Sequence, residues 1–320
     1  MGSVLFSGAR ASYLSVNLLG DERLKRALDG DFDNAVKVLS ETGFGVGVSA
    51  DADIDALIEK ETEKLAEFIR SAAPTADIKK YFLLPYDFRN AESVIKAKYL
   101  KTEPILNRCG VLDEKTLKDK IFADDYKGLP DNMAKALSEA DRIFVEGTAD
   151  GCKINSLFIK ALYDELFALK TDKRISEMLK AQADMLNIGI ALRARNYDMA
   201  KRQFVKCGIL SENDLKTLCE AELAVISEKF FFSRYKAEMT AAINGLENDK
   251  NLKEFEKASE SYPAKMMNKE RYSSEGAVPF IRYCVYKKAD IVNARIILIG
   301  LSVGLSREGI ASRLRAHYER

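Results

Sequence analysis

Several absences narrow the chemistry of this chain before any motif is read. It holds a single histidine, His317. A histidine base for a serine or cysteine nucleophile would have to be that residue, near the end of the chain, where geometry is hard to hold to catalytic tolerance. His317 is therefore expected on the surface, on a helix with Arg313, Arg315 and Arg320. The five cysteines, Cys109, Cys152, Cys207, Cys219 and Cys284, show no Cys-x-x-Cys spacing. Free thiols in a reduced, intracellular compartment are the simpler reading. Neither charge sign dominates: 50 Lys and Arg face 49 Asp and Glu, so no global field draws in nucleic acid or an anionic lipid surface. Long apolar runs are missing too. The longest, Ile296 to Leu305, is interrupted by Ser302 and reaches about half of the roughly 20 residues that a bilayer span needs. The start, Met1-Gly2-Ser3-Val4-Leu5-Phe6, meets Arg10 too early for a signal peptide.

Phosphate chemistry fails in the same way. Gly43-Phe44-Gly45-Val46-Gly47 looks like a phosphate loop, but the chain has no Gly-Lys dipeptide and no full dinucleotide fingerprint. A turn between helices explains it. Asp124-Asp125 resembles the aspartate-rich metal site of helical prenyl-transfer enzymes, yet the next carboxylate position is Gly128. Cys109 and Cys207 each precede a glycine and read as small buried hydrophobes. No zinc, haem or nucleotide pattern is present, so no catalytic residue, metal or cofactor is expected.

What the chain does contain is a repeat. Asp87-Phe88-Arg89-Asn90 returns as Asp184-Met185-Leu186-Asn187 and again as Asp290-Ile291-Val292-Asn293. Each Asp-x-x-Asn is followed by apolar residues at the same offsets: Ala91, Val94 and Ile95; Ile188, Ala191 and Leu192; Ala294, Ile297 and Leu298. The match extends backwards, with Ile78, Tyr81 and Phe82 answering Ile175, Met178 and Leu179, then Ile281, Cys284 and Val285. Residues three apart share a helix face and could hold one ligand. Three copies ahead of the same apolar triplet favour a structural signature, with the Asp as a cap or first-turn group and the Asn bonding nearby backbone.

With 47% hydrophobic and 31% charged residues and only six prolines, the composition predicts a soluble all-α protein. At 320 residues it exceeds one ordinary core, and three units are expected at 1–110, 111–208 and 209–320. Helices are predicted at Asp21 to Gly43, Asp53 to Ser71, Asn132 to Phe144, Ile154 to Leu169, Asp214 to Asn244 and Leu252 to Ser261. Ser261 to Pro279 reads as a loop-rich insertion. After the first two signatures, Cys109-Gly110 and Cys207-Gly208 read as glycine stops, followed by Asp113 or Ser211 capping a new helix; Gly304 and Ser306 keep that logic in the third copy. Phe230, Phe231 and Phe232, with Tyr235 and Met239, are expected mainly in the core. The basic pairs Lys96/Lys98 and Arg193/Arg195 stand equally far from their Asn residues, and a shared inner surface is expected of them.

These residues also carry a resemblance. Leu84-Pro85-Tyr86-Asp87-Phe88-Arg89-Asn90 with Lys96-Ala97-Lys98, and Asn293-Ala294-Arg295-Ile296-Ile297-Leu298-Ile299-Gly300 followed by Leu305-Ser306-Arg307-Glu308, resemble the C subunit of the vacuolar and archaeal-type rotary ATPases, called the d subunit in eukaryotes. The family commonly has Asn-Leu-Lys or Asn-Leu-Arg where this chain has Asn90-Ala91-Glu92 and Asn293-Ala294-Arg295, which marks a divergent member. The resemblance covers essentially the whole chain. It implies three similar helical domains arranged pseudo-threefold as a funnel or socket. It also implies a non-catalytic rotor role on the cytoplasmic face of the membrane. Its implied partners are the central-shaft subunits and the proteolipid c/K rotor ring, and the basic pairs would face the shaft. The torque it passes on would couple ATP synthesis or hydrolysis to proton or sodium transport. A free-standing helical-repeat adaptor is the competing expectation.

Overall fold

The computed structural model describes residues 3–46 and 53–318. Gly47 of the glycine-rich turn and Arg320 of the terminal arginines lie outside these residues. Among the described residues the chain is helical throughout, with no strand, as the low proline content and the 3.6-residue periodicity predict. It divides into two compact units, one formed by residues 1–74 and 230–320, the other by 75–229.

In the first unit, α1 (Val4–Leu14), α2 (Gly20–Leu28), α3 (Phe32–Ser40) and α4 (Ile54–Ala72) precede the excursion into the second. The predicted single helix from Asp21 to Gly43 is two. Asp29-Gly30-Asp31 interrupts it, because the Asp31 side chain accepts from the Asn34 N–H and starts α3 anew. A cap that satisfies orphan donors outweighs the continuing apolar spacing. Asp53 caps α4 in the same way, through the Ala56 N–H.

The second unit holds α5 (Ala76–Leu100), α6 (Glu114–Phe122), α7 (Asp131–Val145), α8 (Gly151–Ala168), α9 (Lys173–Ala194), α10 (Tyr197–Ala200), α11 (Glu212–Glu220) and most of α12 (Leu223–Phe230). Helix α5 packs on α6, α7 and α8, and α9 packs on α8, α10 and α11. Asp113 caps α6, and Ser211 with Asp214 forms a reciprocal capping box at α11, as their sequence positions predict. The first two glycine stops are corrected, whereas Gly304, left-handed at φ 73°, does follow the end of its helix. Helices α5 and α9 end at Lys101 and Arg195, both left-handed at φ 56° and 47°. Gly110 and Gly208 lie in the loops beyond.

Back in the first unit come α13 (Lys236–Asn244), α14 (Lys253–Lys269), α15 (Val278–Ser302) and α16 (Arg307–Ala311), with a π turn at Gly245–Asp249. The predicted segment from Asp214 to Asn244 is thus three helices. Ser261 to Pro279 is largely not a loop: α14 runs through Pro263 to Lys269, and Pro279 stands in the first turn of α15. Proline forfeits one helical hydrogen bond, but buried Phe255, Ala264 and Met267 on either side hold α14 against its neighbours. Helix α15 is the core of this unit, covered by α1, α3, α4 and α14. Phe280, Ile281, Tyr286, Ala294, Ile297 and Leu298 are almost wholly buried on it, each large side chain contributing about 1.5–3 kcal/mol. The aromatic cluster splits: Phe230, Tyr235 and Met239 are buried, whereas Phe232 is 93% exposed.

Candidate functional site: a repeated backbone clamp and its basic neighbours

Each Asp-x-x-Asn lies in the middle of a long helix, α5, α9 or α15, not at a cap or in a first turn. The expectation for the Asp is corrected here because it serves a loop away from its own helix start, while each Asn does bond backbone as expected. All six are buried, so every polar atom needs a partner.

In α5, Asn90 grips the backbone of one residue from both sides. Its Oδ1 accepts the Asn107 N–H at 2.8 Å and its Nδ2 donates to the Asn107 carbonyl at 2.7 Å. One turn earlier, the two oxygens of Asp87 accept the N–H groups of Val111 at 2.8 Å and Leu112 at 3.0 Å. In α9, Asn187 grips Val205 at 2.9 and 3.0 Å. Asp184 accepts from Gly208, Ile209 and Leu210 at 2.8, 2.9 and 3.4 Å. The loops come close enough for this only without a side chain at one point. A Cβ on Gly110 would sit 1.9 Å from Asp87 Oδ1, and one on Gly208 would sit 2.3 Å from the Lys180 carbonyl oxygen.

The third copy keeps half of the device. Asn293 grips Arg315 at 2.8 and 3.0 Å. Asp290 instead accepts the N–H of Leu19, at 2.9 Å and 271 residues away in sequence. Burial pushes its pKa up to about 6, against the partial offset of that N–H and of Lys287.

The basic pairs divide by position. Lys98 donates to the Ile121 carbonyl at 3.3 Å, bonds Asp124 and lies 3.5 Å from Asp141. Arg195 donates to the carbonyls of Leu218 (3.1 Å) and Ala221. Both cations therefore hold the C-terminal end of the helix that follows their clamp, α6 or α11, where the dipole favours positive charge. Lys96 pairs with Glu92 one turn away, and Arg193 is exposed.

The other sequence candidates fall into ordinary roles. Asp124 and Asp125 bind Lys98 and Lys120. Cys109 is buried and Cys207 half-buried, with burial raising the latter's thiol pKa. His317 is not on a helix; its Nε2 lies 2.6 Å from Asp21 Oδ1. Among the described residues, no group of three or more His, Cys, Asp or Glu could hold a metal ion. No described helix is long and apolar enough to cross a membrane.

Sequence reasoning missed one buried ion cluster. Glu61, 2% exposed, meets Lys287 at 3.0 Å, Lys64 at 2.6 Å and the Gly45 N–H at 3.0 Å. Burial alone would raise its pKa, but these partners outweigh it and hold the carboxyl below its usual range. The cluster lines a cavity of about 190 Å³ with Thr42 and Tyr283. Its only sequence signal is Lys287 standing among the apolar positions of α15.

In this helical chain the repeated polar residues bond the chain's own backbone. Its sequence matches the family model described as ATP synthase (C/AC39) subunit over residues 8–313, and the chain belongs to that family. It is similar to the C subunit of the V-type sodium ATPase of Enterococcus hirae, 22% identical over 285 residues and covering 84% of each chain. It is also similar to the C subunit of the A-type ATP synthase of Archaeoglobus fulgidus, 23% identical over 344 aligned positions, which cover 96% of this chain and 94% of the relative.

Proposed function

We propose that this chain is a non-catalytic rotor subunit of a V/A-type ATPase or ATP synthase. It links the central shaft to the membrane rotor ring on the cytoplasmic face and transmits torque between them. The observation that carries the reading is the family match along nearly the full chain, residues 8–313, with both relatives named as the C subunit of such a machine. The physics of the clamps supports it. Buried side chains that bond backbone on both sides tie loops to helices, and close-packed interiors of low compressibility pass strain on.

The three repeat units at 1–110, 111–208 and 209–320 are part of this proposal, each built on one Asp-x-x-Asn helix. So is a shaft-facing surface around Lys96, Lys98, Arg193 and Arg195. Lys98 and Arg195 would shape it by fixing the helix ends that they hold, and Lys96 and Arg193 would meet the shaft's charges. Affinity purification of the tagged chain from detergent-solubilised membranes tests the assignment. Shaft and ring proteins are expected to co-purify, and the isolated chain to hydrolyse no ATP. Recovery of neither would favour the free-standing adaptor. Double charge reversal at Lys96 and Arg193 should weaken shaft binding; unchanged binding would remove these residues from the contact.

A further inference from the structure

Helix α15 gathers both ends of its unit. Asp290 accepts the Leu19 N–H at 2.9 Å, Asn293 grips Arg315, and His317 joins Asp21 at 2.6 Å. In the first two copies both carboxylate oxygens receive backbone N–H groups. Here Oδ2 receives one, and Oδ1 is buried with no hydrogen-bond partner. A carboxylate in that state is poorly solvated, since a buried charge needs its full set of donors. The charged groups around it do not replace them. Lys287, on its own helix, is drawn to Glu61 of α4 at 3.0 Å. Arg23 of α2 donates to the carbonyls of Val16 and Leu18 at 3.0 and 2.6 Å. His317 of the C-terminal segment is held by Asp21. Tyr283, two turns earlier on α15, has its phenol pushed up chiefly by burial, with Asp290 a lesser contributor.

We propose that Asp290 is a proton-operated tether for the segment from Ser15 to Leu19, which joins α1 to α2. The neutral acid holds the segment against α15, and the carboxylate loosens it. When the Leu19 N–H detaches, water reaches the carboxylate and supplies the donors that the closed state lacks, so ionisation favours opening. The shift of its pKa from 3.8 to about 6 has the matching sign. A group with a raised closed-state pKa stabilises the closed form fully below the open-state value and loses that contribution as pH rises through about 6.

Deuterium uptake of peptides covering residues 15–28, measured in the full chain from pH 5 to pH 7.5 and corrected for intrinsic exchange, reads the opening. The opening constant should fall about tenfold from pH 7 to pH 5, while peptides from α9 show no such change. Asp290→Asn should abolish the dependence, and His317→Gln should keep it. A flat wild-type profile, the same slope in Asp290→Asn, or a slope lost in His317→Gln and kept in Asp290→Asn would overturn the proposal. Leu19→Pro gives a second handle. Leu19 has φ −62° and follows an extended residue, which suits proline and removes only the N–H from the backbone. Leu19 is also buried, so Leu19→Ala supplies the side-chain control: Leu19→Pro should open the segment more than Leu19→Ala at every pH, and equal opening in the two would also overturn the proposal.

Discussion

One substitution made at two equivalent positions should act in opposite directions. Asp184→Asn keeps the shape of the clamp but turns one of its oxygens into an NH₂ group facing N–H donors that lie at 2.8 and 2.9 Å. The change forfeits a charge-assisted bond, about 1.5–3 kcal/mol, and strands a buried N–H, about 1–3 kcal/mol. A loss of about 3–5 kcal/mol is expected. Asp290→Asn meets different surroundings. The rise of its pKa from 3.8 to about 6 means that ionising it at pH 7 costs the fold about 3 kcal/mol. The amide removes that cost, keeps an oxygen for Leu19 and leaves its own NH₂ unpartnered at about 1–3 kcal/mol. The variant should therefore lie between neutral and about 2 kcal/mol more stable than wild type at pH 7. At pH 5, where the wild-type acid is largely protonated, that advantage should shrink by about 1 kcal/mol. Urea unfolding followed by far-ultraviolet circular dichroism at both pH values, with hydrogen exchange to show which unit opens, measures all four quantities. If Asp290→Asn costs as much as Asp184→Asn at pH 7, the asymmetry argued for the third clamp is wrong.

Other variants test separate parts of the structure. Gly208→Ala and Gly110→Ala should each lower the melting temperature by more than about 5 °C, because a Cβ would strike the Lys180 carbonyl or Asp87; a fall under about 1 °C in thermal denaturation would show that the loops can retreat. Lys101→Gly should raise stability by about 0.5–1 kcal/mol in urea titration, since an exposed residue at φ 56° favours glycine. Glu61→Gln should destabilise the first unit by about 3–5 kcal/mol at pH 7 by leaving Lys287 buried without its counter-charge. Because the Glu61 pKa is lowered from 4.5, the wild-type advantage is fully present above that value and is lost as pH falls through the depressed folded-state pKa. An advantage that does not fall as the pH is lowered would refute the pairing.

The long clamp helices are legible in the sequence because their apolar triplets recur at helical spacing in all three copies, even with charged residues between them. The capping residues Asp53, Asp113, Ser211 and Ser306 are legible for a similar reason: capping is local, within three residues. Failures come where a distant partner decides. Nothing around Asp87 announces Val111 and Leu112, so a carboxylate before an apolar run reads as a helix start. The break between α2 and α3 is a local exception, where the Asp31 cap through the Asn34 N–H outcompetes a continuing apolar pattern. Pro263 stays inside α14 because burial on both sides overrides proline's local penalty. Lys98 and Arg195 stand out by their matching offsets, but their role depends on where α6 and α11 end, and spacing within α5 and α9 does not encode that.

The Asn clamps bind the N–H and carbonyl of Asn107, Val205 and Arg315 and touch none of their side chains in doing so. Three chemically unrelated residues are thus interchangeable at one position. The clamp itself constrains only the backbone there and bars proline, while each side chain answers to its own surroundings: Val205 is buried, Asn107 accepts the Cys109 N–H and Arg315 pairs with Glu260.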